Sequence, residues 1–192
     1  MTTNLAGRAY ALTVLTPVMP GHDALLRQCL AKLNRGAASP LASLPATHFA
    51  RWVVFDRPAR TGAPLQSNAQ GSPHLLFDSC LDGDRDEYLE AMRTGMSAAA
   101  DAIWEHCVGY PGSGDAQAFA AYFRRHQVDA RLFLAAYPVA SVHDVRSSLA
   151  LRQRLIDFAL ATQGFDAPAL LAAYRQAFPD ARAGGRVKTP GS

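Results

Sequence analysis

The order of apolar segments constrains this chain more than any single motif in it. A strand-like run at Ala9–Met19 is followed by a helical pattern from Asp23, strand-like runs at Thr47–Asp56 and His74–Leu81, a long helical pattern at Asp84–Val108, and a last strand-like run at Ala130–Tyr137. The order β-α-β-β-α-β calls for an α+β fold: an antiparallel sheet with helices on one face. Each boundary has a chemical cause. Pro17 and Pro20 end the first run, because proline has no N–H to give a ladder. Leu25, Leu26, Cys29, Leu30 and Leu33 recur at helical spacing behind Asp23, read as the cap, and Gly36 supplies the stop. The long helix carries Tyr88, Leu89, Met92, Met96, Ala99, Ile103, Trp104 and Cys107 on one stripe, with Gly95 as a place to bend, and ends at Gly109 before Pro111. A short helix at Ala116–His126 leads into the fourth strand.

Two extra C-terminal helices lie outside this repeat. Ser141 and Asp144 have capping-box spacing and open a helix to about Thr162, with Val145, Leu149, Ile156 and Ala159 read as inward; a second helix covers Ala167–Phe178. The whole is read as one domain over 1–182 with a flexible tail at 183–192. A single core suffices for 192 residues and buries ~70% of the unfolded chain's surface. Hydrophobic residues make up 49% and charged residues 18%, which excludes a disordered chain. The net charge of +3 is spread along the sequence, with no basic run beside interleaved aromatics and no RGFGFV-like strand, so nucleic acid is not an expected partner. Cys29, Cys80 and Cys107 are too far apart for a CxxC pair and odd in number, which fits a reducing cytoplasm. No segment reads as a signal peptide or a membrane span.

Strands covered on both sides read as apolar runs, and those here are of that kind. The two main helices cover one face only. Leaving side chains such as Phe55 and Phe133 in water on the other would forfeit several kcal/mol at ~25 cal/mol per Å². Three covers are open: a second copy of the chain, the C-terminal helices, or a small apolar ligand. A homodimer is the expected arrangement.

Over Ala9–Val139, with strands at Ala9–Met19, Trp52–Phe55, Leu75–Leu81 and Leu132–Tyr137, the chain resembles a ferredoxin-like domain of the dimeric α/β-barrel superfamily. That superfamily includes small monooxygenases, haem enzymes of the dye-decolourising peroxidase and chlorite dismutase kind, aldoxime dehydratases and stress-responsive binding domains. His48-Phe49-Ala50-Arg51 and Trp104-Glu105-His106-Cys107-Val108-Gly109-Tyr110-Pro111 are similar to bacterial domains associated with peroxidases. The resemblance implies a dimer and admits haem as cofactor. No catalytic motif of these families matches residue by residue, and a shared fold does not establish function.

The candidate chemistry rests on few residues. His48 and Arg51 begin an otherwise apolar strand and are the catalytic candidates, His48 as general base or haem ligand, Arg51 as an anion holder. Three residues apart on a strand they point to opposite faces unless a bulge re-aims one. The plainer reading is a strand-end histidine and an arginine paired to an acid. His106, at a helix end, is a candidate haem or anion ligand, or simply a cap on the last carbonyls. Cys107 reads as an inert core thiol, since it lies on the buried stripe at the wrong helix end for a thiolate. Trp52, Phe55, Phe77 and Phe133 are the candidate pocket lining, and the Gly- and Pro-rich link Arg57–Pro73 a candidate lid, being longer than a hairpin needs. The histidines have no metal-binding spacing, so no metal is expected. Asp82–Asp86 is a strand-to-helix turn capped by Asp84 rather than a calcium loop.

Two functions follow. One is a small oxidoreductase-like enzyme, peroxidase-like where the ligand is haem, binding an apolar or aromatic ligand on the open face of the sheet. The other is a non-catalytic dimeric binding or accessory domain acting with a larger enzyme.

Overall fold

Leu5–Ala6 (β1), Ala9–Pro17 (β2), Thr47–Phe55 (β3) and His74–Asp82 (β4) form one open antiparallel sheet in the order β1-β2-β4-β3. The computed structural model describes residues 3–33, 35–55 and 73–179. The link at 57–72, read as a lid, and the 183–192 tail lie outside the described residues. The chain divides into two compact units, Met1–His143 and Asp144–Ser192. The first holds the sheet and helices Asp23–Lys32 (α1), Arg85–Gly95 (α2), Ser97–Trp104 (α3) and Ala116–His126 (α4).

The strand register places Val14, Phe77 and Trp52 in one row across three strands, with Thr16, Leu75 and Val54 in the next. This face meets the helices. Leu12, Val14, Leu75, Phe77 and Leu81 are fully buried against Leu26, Leu89, Met92, Ile103, Trp104 and Phe123. Burying each such side chain contributes ~1.5–3 kcal/mol. Trp104 lies at the centre, its ring 5.5 Å from Phe77 and 4.9 Å from Phe123, both edge to face, the orientation aromatic quadrupoles prefer. Buried Ser79 is satisfied by the Tyr88 hydroxyl at 3.0 Å, which also meets Thr47 Oγ1 at 2.9 Å.

Two expectations about the helices under the sheet change. The helix read over Asp84–Val108 is two helices, broken at Met96, whose φ of −138° and ψ of 30° leave the helical region. The break falls beside Gly95, where the helical state is least favoured, and the ladder still crosses it: Met96 N–H donates to Met92 O at 3.1 Å and Ala100 N–H to Met96 O at 2.8 Å. Asp23 is the first residue of α1 and His22 the N-cap, whereas Asp84 caps α2 as read, accepting the Asp86 and Glu87 amides.

The largest correction concerns the fourth strand. Ala130–Tyr137 is not a strand, because the edge of β2 that it would join is already taken. β1 pairs with Ala9 and Tyr10. Ala11 N–H donates to Asn4 O at 2.8 Å, Thr13 O accepts from Val128 N–H at 2.8 Å, and Pro17 O accepts from Val108 N–H at 2.9 Å. Three short pieces thereby occupy and blunt this edge. Past Val128 the chain leaves the sheet, and Leu132 and Leu134 are 89% and 85% exposed.

In the second unit, Val142–Ala161 (α5, which begins at the end of the first unit) is followed by Ala167–Ala177 (α6), capped by Asp166 at the Ala169 amide. Phe158, Tyr174 and Phe178 cluster with centroids 5.2–6.0 Å apart, and the Arg154 guanidinium lies 5.2 Å from the Phe178 ring centre. Neither helix holds a buried residue. Val145, Leu149 and Ile156, read as inward, are exposed: two helices alone are too thin a layer to enclose an apolar stripe. No helix among the described residues is long and apolar enough to cross a membrane.

Candidate functional site on the far face of the sheet

The face of the sheet turned away from α1–α4 collects the ionisable residues of the strands. The register aligns Thr13, Asp78 and Arg51 in one row, Leu15, Leu76 and Val53 in the next, and Pro17, His74 and Phe55 in a third. Between Thr47 and Phe49 the ladder shifts by one residue. This bulge turns His48 to the far face, where its Nε2 lies 2.8 Å from Asp82 Oδ1. His48 and Arg51, which plain alternation would separate, share one side of the sheet.

Both carry a carboxylate partner. Arg51 reaches Asp78 Oδ2 through Nη2 at 3.2 Å and Nε at 3.3 Å, while Asp78 Oδ1 accepts from the Thr13 hydroxyl at 3.0 Å. Asp82 Oδ2 accepts the Val142 amide at 2.7 Å. Asp82 therefore holds His48 by Nε2 and leaves Nδ1 to meet another group. The Arg51 side chain is 64% exposed and that of His48 25%, so these are surface pairs on a half-covered face. Around them stand Phe49, 57% exposed, and Val53, 38% exposed. Phe55 stacks on His74 with centroids 6.1 Å apart. The face thus carries exposed apolar side chains beside charges that are paired within the chain.

The four aromatics read as a pocket do not come together. Trp52 and Phe77 lie on the helix-covered face, 5.6 Å apart, with Phe77 fully buried. Phe55 lies on the opposite side, and half-buried Phe133 is in the segment that leaves the sheet. Strand alternation separates Trp52 from Phe55 by an odd number of steps, and one sheet cannot line a single cavity from both faces.

His106 is placed elsewhere. Its Nδ1 faces His22 Nδ1 at 3.1 Å, with the rings at 61°, so one ring donates and the other accepts. Its Nε2 lies 4.0 Å from Glu105 Oε1 and its side chain is only 13% exposed. Nδ1 is thus engaged with His22, while Nε2 lies beyond hydrogen-bond distance of Glu105. Cys107, beside it, is 2% exposed. Burial pushes its thiol up to about 11, against a lesser downward pull from the Thr16 hydroxyl, so it stays protonated at neutral pH.

Asp78, Asp82, Thr13 and His22 are the partners that sequence reading missed. For the two aspartates a signal was present: acids four apart within an apolar strand share a face, and a half-buried carboxylate calls for a cation. Among the described residues no three His, Cys, Asp or Glu side chains form a metal-binding group. Comparison with protein-family models, curated proteins and solved structures finds no match for the chain.

Proposed function

We propose that this chain is a ferredoxin-like binding or accessory domain that acts without catalysing a reaction, and that it pairs with a second copy of itself through the far face of the sheet. The observation that carries the reading is the pairing of charge on that face: Arg51 with Asp78 and His48 with Asp82, beside exposed Phe49 and Val53. A twofold contact sets a patch against its own image, so the patch must be complementary to itself. A patch with balanced positive and negative groups beside exposed apolar side chains meets that condition, whereas a surface of one charge would repel its copy. The run from Leu132 to Val139 adds apolar surface: Tyr137 and Val139 are each 77% exposed, and the chain then reaches Asp82 through the Val142 amide. In support of the ferredoxin-like reading, β2, β4 and β3 lie side by side in that order, with helices joining β2 to β3 and following β4.

The enzyme reading, with haem or another apolar ligand held by His48, Arg51 or His106, draws less from the geometry. His48 and Arg51 are tied to acids, His106 to His22, and the aromatic lining is divided between two faces. Light scattering with an absorption spectrum of the purified protein tests the choice. The expected result is a mass twice the 20.6 kDa of one chain and no Soret band. A 20.6 kDa monomer at all concentrations overturns the dimer, and a stoichiometric Soret band in protein from haem-replete cells overturns the non-catalytic reading.

A further inference from the structure

At the end of the sheet where Ala9 pairs with Asp82, the turn between β1 and β2 closes over a cleft of about 480 Å³, within the range of small-molecule sites, ~300–1,000 Å³. Its walls are Leu5, Arg8 and Tyr10 from the hairpin, and Asp84 and Arg85 from the start of α2. The sequence builds it through a two-residue turn. Ala6 pairs with Ala9, and Gly7 takes φ +64° between them. A Cβ on Gly7 would lie 2.1 Å from Pro138 O, so only glycine lets the Arg8 amide reach that oxygen at 2.7 Å, while Arg8 O accepts from Gly83 N–H at 2.9 Å. The Arg8 backbone is pinned from both sides and its side chain stands exposed at the mouth of the cleft.

The polar groups of this cleft are unevenly satisfied. Asp84 Oδ1 is committed to the Asp86 and Glu87 amides. Arg85 spends Nε on Asp86 at 2.9 Å and Nη1 on Gln127 Oε1 at 3.1 Å, which leaves Nη2. Gln127 Nε2 donates to the Tyr10 hydroxyl at 2.9 Å, so the Tyr10 oxygen accepts there and its own proton remains to be given. Arg8 has no side-chain partner among the described residues. Asp86 is shared by Arg85 and Arg124 and Asp84 adds a second carboxylate at the wall, so the net positive charge of the cleft is that of Arg8. The unused capacity is mainly donor: the Arg8 guanidinium, one Arg85 amine and the Tyr10 O–H. Beside them lies the apolar wall of Leu5, 52% exposed.

We propose that this cleft binds a small organic carboxylate, its oxygens held by Arg8, Arg85 and Tyr10 and its apolar body against Leu5. Guanidinium and carboxylate match in planar geometry and charge, which makes arginine the strong element of such a site. The α2 N-terminus is not part of the claim, since Asp84 already occupies it.

Calorimetric titration with sodium benzoate, and separately with inorganic phosphate, tests the proposal on the full chain. Benzoate is expected to bind one to one. Phosphate, which offers the oxygens without the apolar body, is expected to bind about tenfold more weakly. Arg8→Gln removes a charge-assisted contact at an exposed position and is expected to weaken benzoate about tenfold with an unchanged melting curve. Arg35→Gln, an exposed arginine outside the cleft, is expected to change nothing. The proposal is overturned by the absence of saturable benzoate binding, by an Arg8→Gln variant that binds as the wild type does, by equal losses in the two arginine variants, or by phosphate binding as tightly as benzoate.

Discussion

Val53→Glu, on the outer side of β3, is the sharpest test of self-association. Val53 is 38% and Phe49 57% exposed. Full burial of such side chains contributes ~1.5–3 kcal/mol each, so covering what remains exposed yields about 0.6–1.1 kcal/mol for Val53 and about 0.9–1.7 kcal/mol for Phe49. A twofold contact counts each twice, for roughly 3–6 kcal/mol in all. Glutamate at position 53 removes the valine share on both sides of the axis and brings two like charges to it, and each buried charge costs several kcal/mol. A loss of about 4 kcal/mol or more follows, which raises the dimer Kd at least roughly a thousandfold. Sedimentation equilibrium over a concentration series reads this directly, and circular dichroism checks that the outward-facing substitution leaves the fold intact. A well-folded Val53→Glu protein with the wild-type Kd would refute the reasoning, because the face bearing Val53 would then not be the contact.

Three further outcomes are expected. Trp104→Ala empties the centre of the aromatic cluster and costs about 3–5 kcal/mol in chemical denaturation; a cost below about 1 kcal/mol would mean that the core is not packed as described. Hydrogen bonds from Arg124 and Arg85 lower the Asp86 carboxyl to about 2, so its contribution is present above the ordinary carboxylate range near 4 and is lost as pH falls through about 2. Its side chain is 43% exposed, so water screens the effect to about 1 kcal/mol or less; the stability gap between wild type and Asp86→Asn, measured by denaturation, should close between pH 5 and pH 2. Cys107, held protonated by burial, should resist iodoacetamide at pH 8 in the native protein and react once it is unfolded, as peptide mass mapping would show.

Much of the site's chemistry was legible one residue at a time, and little of its assembly. His48 and Arg51 stand out as polar residues in an apolar strand, and Asp78 and Asp82 carry the same mark in the next one. What joins them is a one-residue ladder shift at His48, and a shift of one residue moves a side chain from one face of a sheet to the other. No pattern within Thr47–Phe55 announces it. The aromatic residues show the same limit: Trp52, Phe55 and Phe77 are alike in type, while strand parity divides them between two faces. His22 and His106 are 84 residues apart, and only the folding of α1 against α3 brings their rings together.

The linear order of residues determined the elements that depend on near neighbours: the apolar strands β2, β3 and β4, the Asp84 cap, and α4 between Asp115 and Gln127. Those follow from periodicities of two and of three to four residues and from capping groups within a turn of the helix. Tertiary structure decided what becomes of Ala130–Tyr137. Its composition suits a strand, but a strand exists only where an edge is free to pair with it. Leu5–Ala6, Gln127–Val128 and Cys107–Val108 reach the β2 edge first, and backbone hydrogen bonds already made there leave no ladder for another segment to join.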